Sequence, residues 1–227
     1  KGKSLVVSGS NDKSVQLMVN AINDALGNYG STILPNNKVN FRQGNDEAMD
    51  AFIADVEGSK IDAVIFYNCN PVYDHPKGEQ LGKSLTNVPL SASTSITPDE
   101  TASSVGYMAP DHHYLESWGD AEPKPNFFSL SQPAITPIFK SRHGQESLMV
   151  WAGEINVDYF SFVKNNWNSW FYAKQNSGLD SETFWDKCLY DGVLEFGVDA
   201  YVPLSFAGDV NAASAAINSN YKATNTG

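Results

Sequence analysis

The segment from residue 111 to residue 118 has the densest set of side chains that could take part in chemistry. It holds the adjacent imidazoles of His112 and His113, and the carboxylate of Glu116 follows three positions after His113. Imidazoles and carboxylates act as general bases and acids and as zinc ligands. A metal site needs three or four ligands, however, and adjacent histidines point in different directions in regular structure. We therefore favour a polar structural corner, with a metal site or the histidine base of a hydrolase as alternatives.

Two loops follow predicted strands, at the place where open α/β sheets bind ligands. Their candidate binding residues are small or amide-bearing: Gly9, Ser10, Asn11, Asn68, Asn70 and Pro71. Turn chemistry explains the same residue types, because glycine and asparagine permit tight turns and proline ends a strand. Ligand binding and a purely local turn role therefore both stay open for these loops.

The standard phosphate-binding and nucleophile motifs are incomplete in this chain. Gly2-Lys3-Ser4 precedes its predicted strand, and Gly78 lies one residue too close to Gly82-Lys83-Ser84 for a P-loop. Neither the GxGxxG motif of dinucleotide-binding folds nor the GxSxG motif of α/β-hydrolases occurs. The sequence therefore gives no motif support to a P-loop, an NAD site or a hydrolase nucleophile.

Composition and charge exclude further classes of function. The chain has 227 residues and a formal net charge of −11, from 15 Lys and Arg against 26 Asp and Glu. An acidic chain without a basic run predicts no nucleic-acid partner, and apolar runs far shorter than about 18 residues predict no direct membrane span. Cys69 and Cys188 are too few for a four-thiolate cluster. We expect two buried free thiols there, with a single disulfide as the alternative.

The elements that must position the loops alternate between strand and helix in the first half of the chain. Strands are predicted at residues 5–7, 61–67, 88–94 and 105–109, and helices are predicted after Asp12, Asp46 and Thr97. This alternation predicts an α/β fold with an open, mostly parallel, Rossmann-like sheet and flanking helices over residues 1–110.

The second predicted part, residues 111–227, is a loop-rich and helical extension that packs on the first. Several prolines make residues 110–139 an extended, loop-rich crossing. Helices are predicted at residues 145–151, 157–173, 181–189 and 212–217, with a strand at 201–206. The aromatic residues between Trp151 and Trp185 recur at helical spacing, which favours a core over a cofactor-binding surface.

Four motifs together resemble a known family. They are Leu5-Val6-Val7-Ser8-Gly9-Ser10 with Leu26-Gly27-Asn28-Tyr29-Gly30, Tyr67-Asn68-Cys69-Asn70-Pro71-Val72-Tyr73, the run from His112 to Asp120, and the run from Ser131 to Pro137. Over roughly residues 3 to 195 the chain resembles molybdopterin oxidoreductases of the dimethyl-sulfoxide-reductase superfamily. It is most similar to the large molybdopterin-like and iron-sulfur subunit of alternative complex III, a quinol to electron-carrier oxidoreductase.

This resemblance implies that the chain is part of a longer subunit of a membrane-associated respiratory complex on the periplasmic side of the bacterial inner membrane. It implies iron-sulfur clusters elsewhere in the parent chain and partners among its other domains and subunits. In active relatives the strand-end loops contact molybdopterin guanine dinucleotide, which here carries over to Gly9, Ser10, Asn11, Asn68, Asn70 and Pro71. The resemblance also implies that this branch has lost the molybdenum cofactor, and no metal ligand carries over.

Two main hypotheses of function result, beside a third, a free-standing hydrolase that uses His112 or His113 as its base. In the first, the chain is a cofactor-free, non-catalytic domain that supports electron transfer in an oxidoreductase. In the second, its strand-end loops form part of the dinucleotide site of an active molybdoenzyme.

Overall fold

The computed structural model describes residues 1–41 and 43–225. These residues form two compact units. Unit 1 comprises Lys1–Asn40, Pro123–Asn126 and Phe196–Gly227, and unit 2 comprises Phe41–Glu122 and Phe127–Glu195. Both units combine segments from either side of residue 110, and the predicted domain boundary at that residue stays a prediction.

The regular elements of the described residues are helices and short strands. The α-helices are α1 (Lys13–Ala25), α2 (Asp46–Glu57), α3 (Pro71–Asp74), α4 (Gly78–Leu85), α5 (Gly144–Trp151), α6 (Tyr159–Trp170), α7 (Ser181–Asp191) and α8 (Val210–Asn225). The strands are β1 (Ala63–Phe66), β2 (Leu90–Ser93), β3 (Tyr107–Met108), β4 (Gly119–Lys124), β5 (Phe127–Ser131) and β6 (Val193–Glu195). None of the described helices combines the length and the apolar character that a membrane span requires.

A three-stranded parallel sheet lies in unit 2, in the order β1-β2-β3. Ala63 pairs with Leu90, and Ala92 pairs with Tyr107. The core between this sheet and its helices is an apolar cluster of Ile53, Val56, Phe66, Leu81, Leu85 and Val88. The predicted α/β fold with a parallel sheet and flanking helices is confirmed.

A second sheet of three strands, in the order β4-β5-β6, stands where the sequence predicted a loop-rich crossing. Strand β5 pairs antiparallel with β6, with Phe127 opposite Glu195. Pro123 is compatible with β4 because it lies near the end of that strand. Asn126, with a left-handed φ of 62°, lies in the turn between β4 and β5. The crossing is thus partly a sheet, and that part of the prediction was wrong.

The aromatic residues of α6 and α7 form the core beneath the second sheet. Trp167 and Trp185 are fully buried, and their rings meet edge-to-face with centroids 6.3 Å apart. Phe128 of β5 contacts Phe171, with ring centroids 4.2 Å apart. The helical spacing therefore indicated a core correctly for these residues, whereas Trp151, Phe162 and Trp170 of the same aromatic set are exposed.

In unit 1, α1 begins and ends as its sequence predicts. Asp12 caps the helix by accepting from the Val15 amide at 2.9 Å. At the other end the Asn28 amide donates to the Asn23 carbonyl at 2.9 Å, and Gly27 has the positive φ of 66° that this helix stop requires. Helix α1 packs against α8.

The predicted strand at residues 5–7 is wrong, because a side chain takes the place of a partner strand. The Val6 amide donates to Asn23 Oδ1 at 3.0 Å, and Asn23 Nδ2 donates back to the Val6 carbonyl at 2.8 Å. The predicted strand at residues 201–206 is also irregular. Just before that segment, Asn36 Nδ2 donates to the carbonyls of Asp199 and Ala200, both at 3.1 Å.

The helix predicted after Thr97 is a single 3-10 turn, Ala102–Ser104. Asp99 accepts from the Ala102 amide at 2.7 Å, so the acid after the proline caps that turn. The chain then needs only a few residues to reach β3 at Tyr107, which leaves no room for a longer helix. Helices α3 and α4 were not predicted.

The two cysteines are free thiols with different exposure. Cys188 is 3% exposed and burial raises its pKa to about 11, whereas Cys69 is exposed, contrary to the expectation that both are buried. Burial also raises the pKa of Cys69, but its thiol is within reach of solvent. A disulfide reagent at pH 8 is therefore expected to modify Cys69 in the native chain and Cys188 only after denaturation. Counting the cysteine thiols that react with and without denaturant, in the parent chain and in Cys69→Ser, measures this difference. Two thiols reacting natively would contradict it.

Candidate functional site

A cavity of about 760 Å³ lies in unit 2, beyond the carboxyl ends of β1, β2 and β3. The segment after β1 contributes Asn68 and Asn70, the segment after β2 contributes Ser95, and the segment after β3 contributes Asp111 and His112. Parallel strands bring their carboxyl ends to one edge of the sheet, which is where ligands of open α/β sheets bind. The parallel sheet therefore collects loops from distant parts of the sequence around one cavity.

The predicted residues after β1 have well-defined local partners. Asn70 Oδ1 accepts from the Thr101 hydroxyl at 2.7 Å, and Asn70 Nδ2 donates to Glu100 at 2.8 Å. Asn68 has the left-handed φ of 49° that asparagine tolerates, and Pro71 begins α3. Asn68 and Asn70 line the cavity, and Asn70 also ties this loop to the segment before β3.

Asp111 anchors the cavity floor. It is 8% exposed, and its Oδ1 accepts from the amides of Gly144 and His112, both at 2.6 Å. The Gly144 amide is at the N-terminus of α5, where the helix dipole favours a negative charge. A Cβ on Gly144 would stand 2.7 Å from both Asp111 Oδ2 and the Tyr67 ring, so only glycine permits this close approach.

His143 lies beside this carboxylate as the residue preceding α5 and lines the same cavity. It is 7% exposed, stacks with the His112 ring at 6.1 Å and meets the Tyr159 ring edge at 4.6 Å. Burial lowers the pKa of His143, and His112 adds to this effect while Asp111 and Glu146 oppose it. Burial likewise raises the pKa of Tyr159 to about 12. The floor therefore holds a neutral imidazole next to a neutral phenol.

The lowered pKa of His143 predicts a pH dependence of stability. The unfolded chain takes up a proton on this residue near pH 6.5, whereas the folded chain resists it until the pH is lower. The stability contributed by neutral His143 is thus complete above about pH 6.5 and is lost as the pH falls through the folded pKa. Denaturant titrations between pH 7.5 and 5 should show a smaller loss in His143→Phe than in the parent chain. An equal loss of unfolding free energy with falling pH in the two chains would contradict this prediction.

The predicted corner at His112, His113 and Glu116 is divided between two roles. The His113 amide donates to Glu116 Oε2 at 2.9 Å, and His113 Nδ1 accepts from the Leu115 amide at 3.3 Å, which caps the 3-10 turn Tyr114–Glu116. Glu116 Oε1 also accepts from Ile138, and these amide donors hold the pKa of Glu116 below its usual range. Glu116 joins two loops by accepting hydrogen bonds from both, whereas His112 and His113 line the cavity.

The remaining predicted residues, Gly9, Ser10 and Asn11, lie in unit 1. The Ser10 amide donates to Ser8 Oγ at 3.2 Å, and Gln16 Nε2 donates to the carbonyls of Ser8 and Ser10. A Cβ on Gly9 would meet no atom within 4 Å, so the space around it does not require glycine. Neighbouring side chains therefore satisfy polar groups of this turn.

The cavity lining is rich in carboxylates. Its described lining residues include Asp74, Asp99, Asp111 and Asp120, and they include no Lys or Arg. Within the part of the chain that the structure describes, no group of three or more His, Cys, Asp and Glu side chains has the arrangement of a metal site. A pterin dinucleotide carries an anionic pyrophosphate, which such carboxylates repel. The acidic lining therefore disfavours the phosphate-bearing part of that cofactor.

Comparison with known proteins relates part of the chain to one named subunit. The chain is similar to the menaquinone reductase, molybdopterin-binding-like subunit, of Nitratidesulfovibrio vulgaris (strain Hildenborough), with 27% identity over 100 residues. The match covers 42% of this chain and 14% of that protein, so the chain spans a small part of its relative's length. No family model matches the chain. The match supports a relationship to molybdopterin-related oxidoreductase subunits.

Sequence reasoning did not identify His143, Tyr67 or Asp120 as parts of the cavity. His143 stands alone in the sequence, and its only local signal is its place before Gly144 at the start of a predicted helix. Asp120 lies at the start of a strand that the sequence did not predict. The cavity is built by pairing between distant segments, which leaves no spacing signal in the sequence.

Proposed function

We propose that this chain is a structural domain of a molybdopterin-oxidoreductase-like large subunit in a membrane-associated respiratory quinol-oxidising complex of the alternative complex III type. The observation that carries the proposal is the match to the molybdopterin-binding-like subunit of a menaquinone reductase. The parent protein would be an oxidoreductase, and this domain would support electron transfer without catalysing a reaction itself.

The chemistry of the cavity supports a domain without a bound dinucleotide. Four aspartates line it, and the described lining residues include no Lys or Arg. The amide of Asn70, which the resemblance assigns to the cofactor, is already bonded to Glu100 and Thr101. Iron-sulfur clusters would be held by other parts of the parent chain, on the periplasmic side of the inner membrane.

Exposed apolar side chains in unit 2 support a docking role toward other domains and subunits. Ile138, Phe139 and Ile155 are 71%, 79% and 84% exposed. Ile138 and Phe139 also line one cavity together with Leu115 and Ile135, and contiguous exposed apolar surface commonly belongs to an interface. Their partners would be the cluster-bearing part of the parent chain and neighbouring subunits.

Elemental analysis of the full-length parent protein, purified from its native membrane, tests the proposal. Iron without molybdenum or tungsten is the expected result per polypeptide. Molybdenum or tungsten near one per polypeptide would contradict a cofactor-free domain. Purification of the parent protein as a soluble monomer without quinol-dependent activity would contradict its place in the complex.

In the alternative function, the chain forms part of the molybdopterin dinucleotide site of an active molybdoenzyme. The position of the cavity at the carboxyl ends of β1, β2 and β3 favours it, because cofactors of open α/β sheets bind there. A ligand that binds the native chain must raise its melting temperature. Stabilisation by millimolar guanosine diphosphate would therefore support this alternative, and an unchanged melting temperature would remove it.

A further inference from the structure

Two polar groups at the cavity wall lack hydrogen-bond partners. His143 is nine-tenths buried and lines the cavity, and among the described residues no hydrogen bond joins its imidazole. Gln145 lines the same cavity; its side chain bonds to Tyr67, but its buried Oε1 has no partner within the described structure. Buried polar groups are nearly always paired, so the Gln145 oxygen points to a molecule that completes it, and the imidazole of His143 faces the same cavity. A neutral imidazole offers one acceptor nitrogen and an amide oxygen is an acceptor, so the missing molecule carries N–H donors.

The charges around these two acceptors specify the molecule further. Asp111 lies on the floor, and Asp74, Asp99 and Asp120 line the walls without a Lys or Arg among the described lining residues. The rings of Tyr67 and Trp118 also line the cavity, and aromatic faces attract cations. An organic cation satisfies the acceptors, the carboxylates and the rings together.

We propose that this cavity binds a small organic cation of the amine or guanidine class, with its N–H groups directed at His143 and Gln145. The volume of about 760 Å³ is within the usual range of small-molecule sites, roughly 300–1,000 Å³. A metal ion does not fit the same role, because the described residues hold no arrangement of three metal-ligating side chains. The proposal stands independently of membership in a respiratory complex.

Calorimetric titration of the full chain with agmatine, which carries a guanidinium and an ammonium group, tests the proposal. We expect millimolar or tighter binding. Asp74→Asn and Asp120→Asn should each weaken it about threefold, as expected for a partly exposed charge pair, and the double variant about tenfold. Both substitutions keep the shape of the side chain. The amide that replaces the Asp120 carboxylate still offers an oxygen to the indole N–H of Trp167, which donates to Asp120 in the parent chain.

A third variant tests the acceptor at the floor of the cavity. His143→Phe keeps an aromatic ring between His112 and Tyr159 but loses the acceptor nitrogen. We expect this substitution to weaken agmatine binding, because one N–H of the ligand is then left without its partner. Unchanged affinity in His143→Phe would show that the ligand does not reach this residue.

A matched control separates the site from the overall charge. Asp186→Asn removes one exposed carboxylate on α7, outside the cavity, and should leave agmatine affinity unchanged. Equal weakening by Asp186→Asn would mean attraction to the acidic chain as a whole and would overturn the proposal. Absence of binding by agmatine and putrescine, or displacement of agmatine by guanosine diphosphate, would overturn it too. Binding of a lysine-rich peptide where agmatine fails would assign the cavity to a protein partner instead.

Discussion

Replacing Trp167 with alanine is expected to lower the free energy of unfolding by about 4 kcal/mol, within the usual range for a fully buried aromatic residue. The side chain is 0% exposed and its ring meets those of Phe128, Phe171 and Trp185. Its indole N–H also donates to Asp120 Oδ2 at 2.9 Å. The substitution removes ring packing and a charge-assisted hydrogen bond together.

Urea unfolding followed by circular dichroism measures this loss. Trp170→Ala is the matched control, since Trp170 lies on the same helix but is 57% exposed. We expect the control to cost less than about 1 kcal/mol. Similar losses in the two variants would show that Trp167 is not the centre of this core.

Asp111→Ala is expected to lower the free energy of unfolding by about 3 kcal/mol, because its removal leaves two amide donors unpaired at a buried helix N-terminus. The carboxylate accepts from the amides of Gly144 and His112. Asp111→Asn keeps an acceptor oxygen but loses the charge, so its loss should be about half as large. The same urea titrations measure both variants, and hydrogen exchange at Gly144 should accelerate most in Asp111→Ala.

Asp74→Ala provides the comparison for this site, because Asp74 lines the same cavity but is exposed. Asp74→Ala is expected to change the free energy of unfolding by no more than about 0.5 kcal/mol, as most surface substitutions do. If Asp111→Ala proved equally mild, the carboxylate would not be the anchor of α5.

The parts of the fold that follow from local patterns were predictable. The apolar spacing after Asp12 and the acids at Asp46 and Glu47 locate α1 and α2, and the continuous apolar run locates β1. Elements that depend on distant pairing were not predictable. Residues 5–7 have strand-forming side chains but are paired by Asn23, and β4 contains poor strand formers that pair across the second sheet.

The candidate site, too, was predictable only where local sequence decides it. Asn68 and His112 were recognisable as polar residues in loops, and the parallel sheet brings them to one cavity. The contact between Asp111 and the start of α5 was not recognisable, since 33 residues separate Asp111 from Gly144. The acidic character of the cavity arises only when segments after β1, β2 and β3 meet, so neither its charge nor its fit to a ligand could be obtained from any one motif.

The packing of α1 against α8 has a consequence for how the chain folds during its synthesis. The last residues of α8 leave the ribosome about 200 residues after α1, on the order of 10–40 s later at ordinary translation rates. Throughout that interval the apolar face of α1 has no partner helix, while every segment of unit 2 has already been made once Glu195 is added. Unit 2 is therefore the first to be completed, and α1 waits for the helix that packs against it until α8 has been made.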